Sequence, residues 1–222
     1  AKLRTWGRLR PILSFTGAKY AHEPLYQGIL SKIVEVYAKG CPPLYPVRSA
    51  SNFSLLYLIS RCISEAGCRR VLEIGTGRTS LLLDALRAGF PDLAVMGVES
   101  DGDWADTIGA RVGYPIVWRE LEPGGDRFSQ VGDLSPAGHS FDLAVVDGPL
   151  GRRRRSRWAS LDLLETALGS DFVVIFDDAE RPGEQDTIKE FAKRFDVGCH
   201  HVISSKCQLV LYTKKFDFVR FY

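Results

Sequence analysis

The sequence predicts an α/β fold built on an open, mostly parallel sheet, and three observations carry that expectation. From Arg70 onward, short runs of β-branched and apolar residues alternate with amphipathic stretches, the rhythm of strands joined by crossover helices. A glycine turn, Gly75-Thr-Gly77, follows the first of those strands and opens the first of those helices, which gathers free backbone N–H groups at a helix N-terminus. The last two apolar runs, Gly198 to Ile203 and Gln208 to Thr213, are joined only by Ser204-Ser-Lys-Cys207. That link is too short for a parallel crossover and suits an antiparallel hairpin.

The elements follow in order. Residues 1–50 are expected to form an N-terminal helical extension or lid, and residues 51–222 the main domain. Ala1 to Ala21 is basic and irregular, Pro24 to Ala38 has helical apolar spacing through Leu25, Ile29, Ile33 and Val36, and Pro42, Pro43 and Pro46 break the chain. A second helix from about Ser51 to Ala66 leads into the glycine turn. Strands are expected at Val71 to Ile74, Ala94 to Glu99, Pro115 to Trp118, Phe141 to Val146 and Phe172 to Phe176. Helices are expected at Thr79 to Ala88, Gly102 to Arg111, Ser156 to Leu168 and Gly183 to Phe195.

Composition excludes some classes. A length of 222 residues with 45% hydrophobic content supports a full core. The net charge of +2 argues against a protein committed to nucleic acid by charge alone. The five cysteines are scattered and lack C-x-x-C spacing, which points to a reduced, cytoplasmic setting. No apolar run approaches the roughly 20 residues of a membrane span. Apolar area on the N-terminal helices leaves a homodimer open.

The turn favours a particular kind of ligand. A dinucleotide fingerprint needs a third glycine or alanine where this chain has Ser80, and Glu73, two residues before Gly75, is poorly placed beside a pyrophosphate. The same carboxylate suits the ammonium group of a methionine moiety, so the turn Gly75-Thr76-Gly77 fits S-adenosylmethionine better, with Ser80 and Asp147 also expected among the cofactor's contacts. Glu99, followed by Ser100 at the end of the second strand, is placed to accept hydrogen bonds from ribose hydroxyls.

Val71 to Ser80, Glu99, Phe141 to Asp147 and the closing hairpin together resemble the class I S-adenosylmethionine-dependent methyltransferases. The resemblance covers the last two-thirds of the chain. It implies a Rossmann-like seven-stranded sheet with helices on both faces and only the last inserted strand antiparallel, and N-terminal helices that cover the cofactor and shape an acceptor pocket.

Two strand ends narrow the chemistry. Asp147 closes Phe141-Asp-Leu-Ala-Val-Val-Asp147, and Asp177 and Asp178 close Phe172-Val-Val-Ile-Phe-Asp177-Asp178. Ligands lie beyond the carboxyl ends of parallel strands, so the three acids should converge. Clustered carboxylates repel unless a cation joins them, and Mg2+ is the natural hard cation. The pattern resembles the cation-dependent small-molecule O-methyltransferases, including catechol, caffeoyl-coenzyme A and macrolide-sugar enzymes, with Asp147 and Asp177 at the metal-acid positions and Asp178 where relatives carry Asn or Asp. The lysine that catechol-type and caffeoyl-type enzymes place after the first acid is absent here, where Gly148-Pro-Leu-Gly-Arg152 follows.

The expected catalytic group is therefore Asp147 and Asp178 with Arg181, and the expected acceptor is a small or medium hydroxylated molecule such as a sugar, polysaccharide or natural product. Arg152 and Arg153 of the arginine run, with Arg181, are read as an anion-recognising lid. Asx-turn and capping roles for Asp147, Asp177 and Asp178 are the plain alternative. Alternative activities are metal-free methylation of nitrogen or RNA, and a binding module without turnover. Of the four histidines, His22 is best placed for a pocket; His200 and His201 alternate along a strand, and His139 sits on a loop at the opposite edge.

Overall fold

The computed structural model describes residues 22–45, 51–130, 134 and 140–222. The basic segment before Ala21 and His139 lie outside the described residues. Helix α1 spans Glu23–Tyr37 and α2 spans Phe53–Ser64, followed by β1 at Arg70–Ile74 and α3 at Arg78–Arg87. Next come β2 (Ala94–Glu99), α4 (Gly102–Gly109), β3 (Ile116–Trp118) and β4 (Phe141–Val146). The chain continues through α5 (Ser160–Ala167), β5 (Leu168–Phe176), α6 (Pro182–Arg194), β6 (Gly198–Ile203) and β7 (Cys207–Tyr212), and ends on a 3-10 helix at Lys214–Phe221.

The seven strands form one sheet in the order β3-β2-β1-β4-β5-β7-β6. β1 pairs in parallel with β2 and β4, and β7 pairs antiparallel with both β5 and β6. The expected hairpin and its single antiparallel strand are therefore present. Chain order reverses between β1, which continues to β2 on one side, and β4 on the other. A crevice at such a reversal, beyond the carboxyl ends of the strands, is where open α/β sheets hold ligands.

Both faces of the sheet are covered, which explains strands that are apolar throughout. Val71, Leu143, Val145, Val173 and Ile175 pack with α1, α2 and α3, while Leu72, Ala144, Val146, Val174 and Phe176 pack with α5 and α6. The alternation is that of a period-two strand. α2 is buried along most of its length, and Asn52 caps it by accepting from the Leu55 amide at 3.3 Å. α6 starts on Pro182, whose fixed φ and missing N–H suit the first helical position.

Two departures from the sequence expectation have local causes. Helix α5 starts at Ser160 and not at Ser156, because Arg157 adopts φ 57, which a right-handed helix excludes. β5 starts at Leu168 and not at Phe172, because the backbone becomes extended directly at the end of α5 and Leu168 pairs with Phe141.

Candidate functional site

At the sheet's reversal point, the ends of β1 and β4 meet backbone to backbone. The Gly75 amide donates to the Val98 carbonyl at 2.9 Å, and the Asp147 amide to Ile74 at 2.9 Å. Gly75 has φ 87, and a Cβ there would stand 2.4 Å from the Gly148 nitrogen; one on Gly148 would stand 2.5 Å from the Gly75 Cα. Only glycine meets both the dihedral and the contact. A cavity of about 650 Å³ opens above this seam, within the size range of cofactor sites.

The cavity wall contains Gly75, Thr76, Gly77, Glu99, Ser100, Asp147, Asp178 and Arg181 of the residues expected at the site. Glu99 is held rigidly: one carboxylate oxygen accepts from the Thr76 amide at 2.9 Å, the other from the amides of Ser100 at 2.7 Å and Asp101 at 3.1 Å. Its neighbour Trp104 anchors its indole N–H on the Thr76 carbonyl at 2.9 Å and leaves its ring in the wall.

Glu73 and Ser80 are placed differently from the expectation. Neither is in the cavity wall; both are fully buried beneath the turn. Glu73 accepts from the hydroxyls of Thr79, of Ser80 at 2.8 Å and of Tyr114 at 2.9 Å. Burial pushes its pKa up to about 7 despite those three donors. The carboxylate thus braces β1 against α3 from below. Ser80 also accepts from the Gly77 amide at 2.8 Å, which shapes the turn.

The acids converge as expected, with Arg181 beside them; two further cations among them, Arg157 and Lys206, were not expected from the sequence. One oxygen from each of Asp147, Asp177 and Asp178 lies within 4.8 Å of the others. Arg157, buried, donates to Asp147 Oδ1 at 3.0 Å and to Asp178 Oδ2 at 2.9 Å. Lys206, from the β6–β7 link, contacts Asp177 Oδ2 at 2.8 Å and Asp178 Oδ1 at 3.4 Å. Arg181 adds a 2.9 Å contact to Asp178 Oδ2, and the buried Glu184 stands 3.7 Å from Arg157 Nε. Arg157 and Asp178 both hold left-handed backbone, φ 57 and φ 54. Each such residue costs on the order of 1 kcal/mol or more, and a 2.9 Å ion pair joins the two side chains.

Burial raises the Asp147 pKa to about 8, and the neighbouring Asp177 charge adds to the shift against the pull of Arg157 and Lys206. For Asp177, burial acts in the same direction, but Lys206 and Arg157 outweigh it and hold the group below the ordinary carboxylate range. Asp147 Oδ1 is taken by Arg157, while Oδ2 accepts no hydrogen bond among the described residues. The cluster therefore presents one poised carboxylate oxygen to the cavity.

A divalent cation does not fit this donor set. Both oxygens of Asp177 are engaged, by Lys206 at 2.8 Å and by the Gln208 amide at 2.7 Å, and the residue is fully buried. Asp178 Oδ2 is engaged by two guanidinium groups. Its Oδ1 is a buried oxygen that accepts no hydrogen bond among the described residues, yet it faces the Lys206 ammonium. A Mg2+ ion binding at about 2.1 Å would have to displace that ammonium.

The arginine run is also tied down. Arg152 bonds the Gly124 carbonyl and reaches Asp126 at 3.8 Å, Arg154 pairs with Asp186 at 2.6 Å, and Arg155 reaches Asp126 at 3.8 Å. Neither Arg152 nor Arg153 is in the cavity wall, which Arg181, Arg78 and Lys206 join instead. His22 contacts the Ile203 carbonyl at 3.3 Å and His200 the Tyr222 carbonyl at 3.0 Å, both away from the wall. Of the described residues before Ser51, none lines the cavity; Tyr45 approaches it through Arg78, whose guanidinium lies 5.9 Å from the ring centre.

Solved structures share this architecture. The chain is similar to an O-methyltransferase from Bacillus cereus in complex with SAH, with 16% identity, TM-score 0.54, and coverage of 88% of this chain and 98% of that one. It is similar also to the O-methyltransferase TomG from Streptomyces achromogenes, involved in tomaymycin synthesis and solved with SAM (19% identity, TM-score 0.51, coverage 87% and 96%). A putative caffeoyl-CoA O-methyltransferase from Staphylococcus aureus aligns at 16% identity and TM-score 0.54, covering 86% and 96%. No family model matches the sequence, and no curated protein matches it. The fold is that of the class I S-adenosylmethionine-dependent methyltransferases.

Proposed function

We propose that the protein is an S-adenosylmethionine-dependent methyltransferase acting on a hydroxyl of a small or medium acceptor, a sugar or natural product among them. The observation that carries the reading is Asp147: a carboxylate with one free oxygen, raised pKa and a place in the cavity wall, directly beside the glycine seam. Gly75, Thr76, Gly77 and Glu99 would hold the cofactor, Glu99 through ribose hydroxyls. When bound, S-adenosylmethionine supplies an electrophilic methyl group whose bonding pair stays on sulfur as the methyl passes to the acceptor oxygen.

The chain's own residues do the rest. Asp147 Oδ2 takes the proton of the acceptor hydroxyl, and a base with a pKa near the working pH is suited to that task. Arg157 fixes the other oxygen and so the direction of the free one. Trp104 and the seam wall one side of the cavity. Because Mg2+ does not fit the acids, proton removal falls to Asp147. The free state of all five cysteines supports a reducing, cytoplasmic setting, and no helix among the described residues is long and apolar enough to cross a membrane.

The test is calorimetric titration of S-adenosylmethionine, followed by transfer of a labelled methyl group to a panel of hydroxylated acceptors. Wild type is expected to bind the cofactor, and Asp147→Asn to bind it but transfer at least about a hundredfold more slowly. A chain that binds no cofactor sinks the reading. Transfer to RNA in place of the hydroxylated panel replaces it with the nucleic-acid alternative.

A further inference from the structure

The methyltransferase reading leaves a question in the acid cluster: what supplies the positive charge that a divalent ion would bring. Resting on that reading, we propose that the ammonium of Lys206, backed by Arg157, takes the place of a metal and is the group that positions the acceptor oxygen. Lys206 reaches the acids from the link between β6 and β7, at 2.8 Å from Asp177 and 3.4 Å from Asp178, and its chain is part of the cavity wall. An ammonium has three N–H donors. Asp177 takes one and Asp178 faces a second, which leaves the third for an oxygen in the cavity.

The position of Lys206 is built and not incidental. Gln208, two residues along, donates to the other oxygen of Asp177 at 2.7 Å and accepts from Ser54 at 2.6 Å. Asn52 accepts from Gln208 at 3.1 Å and donates to Ser205 at 2.9 Å and to Glu23 at 2.9 Å. Ser205 and Gln208, on either side of the lysine, are thereby fixed to the N-terminal ends of α1 and α2. An acceptor hydroxyl bridging Lys206 and Asp147 Oδ2 would donate its proton to the carboxylate and receive an N–H on the oxygen as negative charge develops there. Orientation and charge stabilisation, the two services a metal performs, then come from side chains.

The experiment uses the full chain and Mn2+ as a paramagnetic probe. Wild type and Lys206→Arg are expected to show no saturable Mn2+ binding. Lys206→Met, with the ammonium gone, is expected to gain one Mn2+ site that a further Asp177→Asn change removes. A raised KM of Lys206→Arg for whichever acceptor of the panel is methylated, with cofactor affinity unchanged, reads the positioning role that a merely structural lysine lacks; a folded Lys206→Met that gains no Mn2+ site, or an unchanged KM in Lys206→Arg, overturns the proposal. Saturable Mn2+ binding by the wild type, lost in Asp177→Asn, overturns the proposal. Methyl transfer that survives chelation within about twofold supports it, whereas loss on chelation with rescue by Mg2+ overturns it. Cofactor calorimetry on the same samples is a separate arm: absent binding there sinks the methyltransferase reading, while the Mn2+ result still decides whether the acids are a metal site.

Discussion

Two carboxyl groups with displaced pKa values make predictions at the residue scale. Asp147 must be ionised to take a proton, so the transfer rate is expected to rise with pH and level off above about 8, its raised pKa. Asp147→Asn should remove the rising limb. A limb that persists in the variant would assign the base elsewhere. Glu73 affects stability instead. Its folded pKa of about 7 lies above the ordinary 4.5, so the native state binds the proton more tightly. Stability therefore falls as pH rises from about 4.5 to 7 and stays level beyond, by on the order of 3 kcal/mol. Glu73→Gln should flatten that part of the curve in denaturant unfolding at stepped pH; parallel curves for the two proteins would sink the claim. The sequence made both acids visible because they sit at or next to strand ends, where alternation and chain order fix their level in the sheet. It did not reveal that Glu73 points beneath the turn, since that depends on the hydroxyl of Tyr114, distant in sequence.

At the scale of elements, the seam between β1 and β4 carries the sharpest prediction. Gly148→Ala would drive a methyl group into the Gly75 backbone, with no flexible side chain to yield. It should lower unfolding stability by at least about 2 kcal/mol and abolish cofactor binding by calorimetry. A variant that binds normally would show that the two strand ends can part. The strands, the glycine turn and the hairpin were legible, because period-two apolar runs and a four-residue link leave few alternatives. The cation cluster was not. Arg157 lies in what reads as the start of a helix, and only its φ of 57 turns it inward. Lys206 sits in a link that reads as a plain hairpin turn, and it reaches Asp177 across 29 residues of sequence. The arginine run misled for the opposite reason: its charge is conspicuous, yet Asp126 and Asp186 pair with most of it at the surface.

For the whole molecule, the seven-stranded sheet places the glycine turn, Glu99 and Asp147 on one rim, so a ligand bound there contacts β1, β2 and β4 together. Such a ligand binds the native state alone and should raise the melting temperature. At a hundred times its dissociation constant, S-adenosylmethionine is expected to add about 2.7 kcal/mol, or roughly 5 to 10 °C for a chain of this size. A thermal scan with no shift at saturating cofactor would contradict the site assignment. The hairpin that closes the sheet has a further consequence for how the chain is made. Asp147, Asp177 and Arg157 leave the ribosome well before Lys206 does. Until the hairpin emerges, Asp177 lacks both the ammonium and the Gln208 amide that hold it in the folded protein. Asp177 thus waits without those partners during synthesis, and the hairpin, translated after the other strands, acts as the clasp that makes the rim habitable for charge.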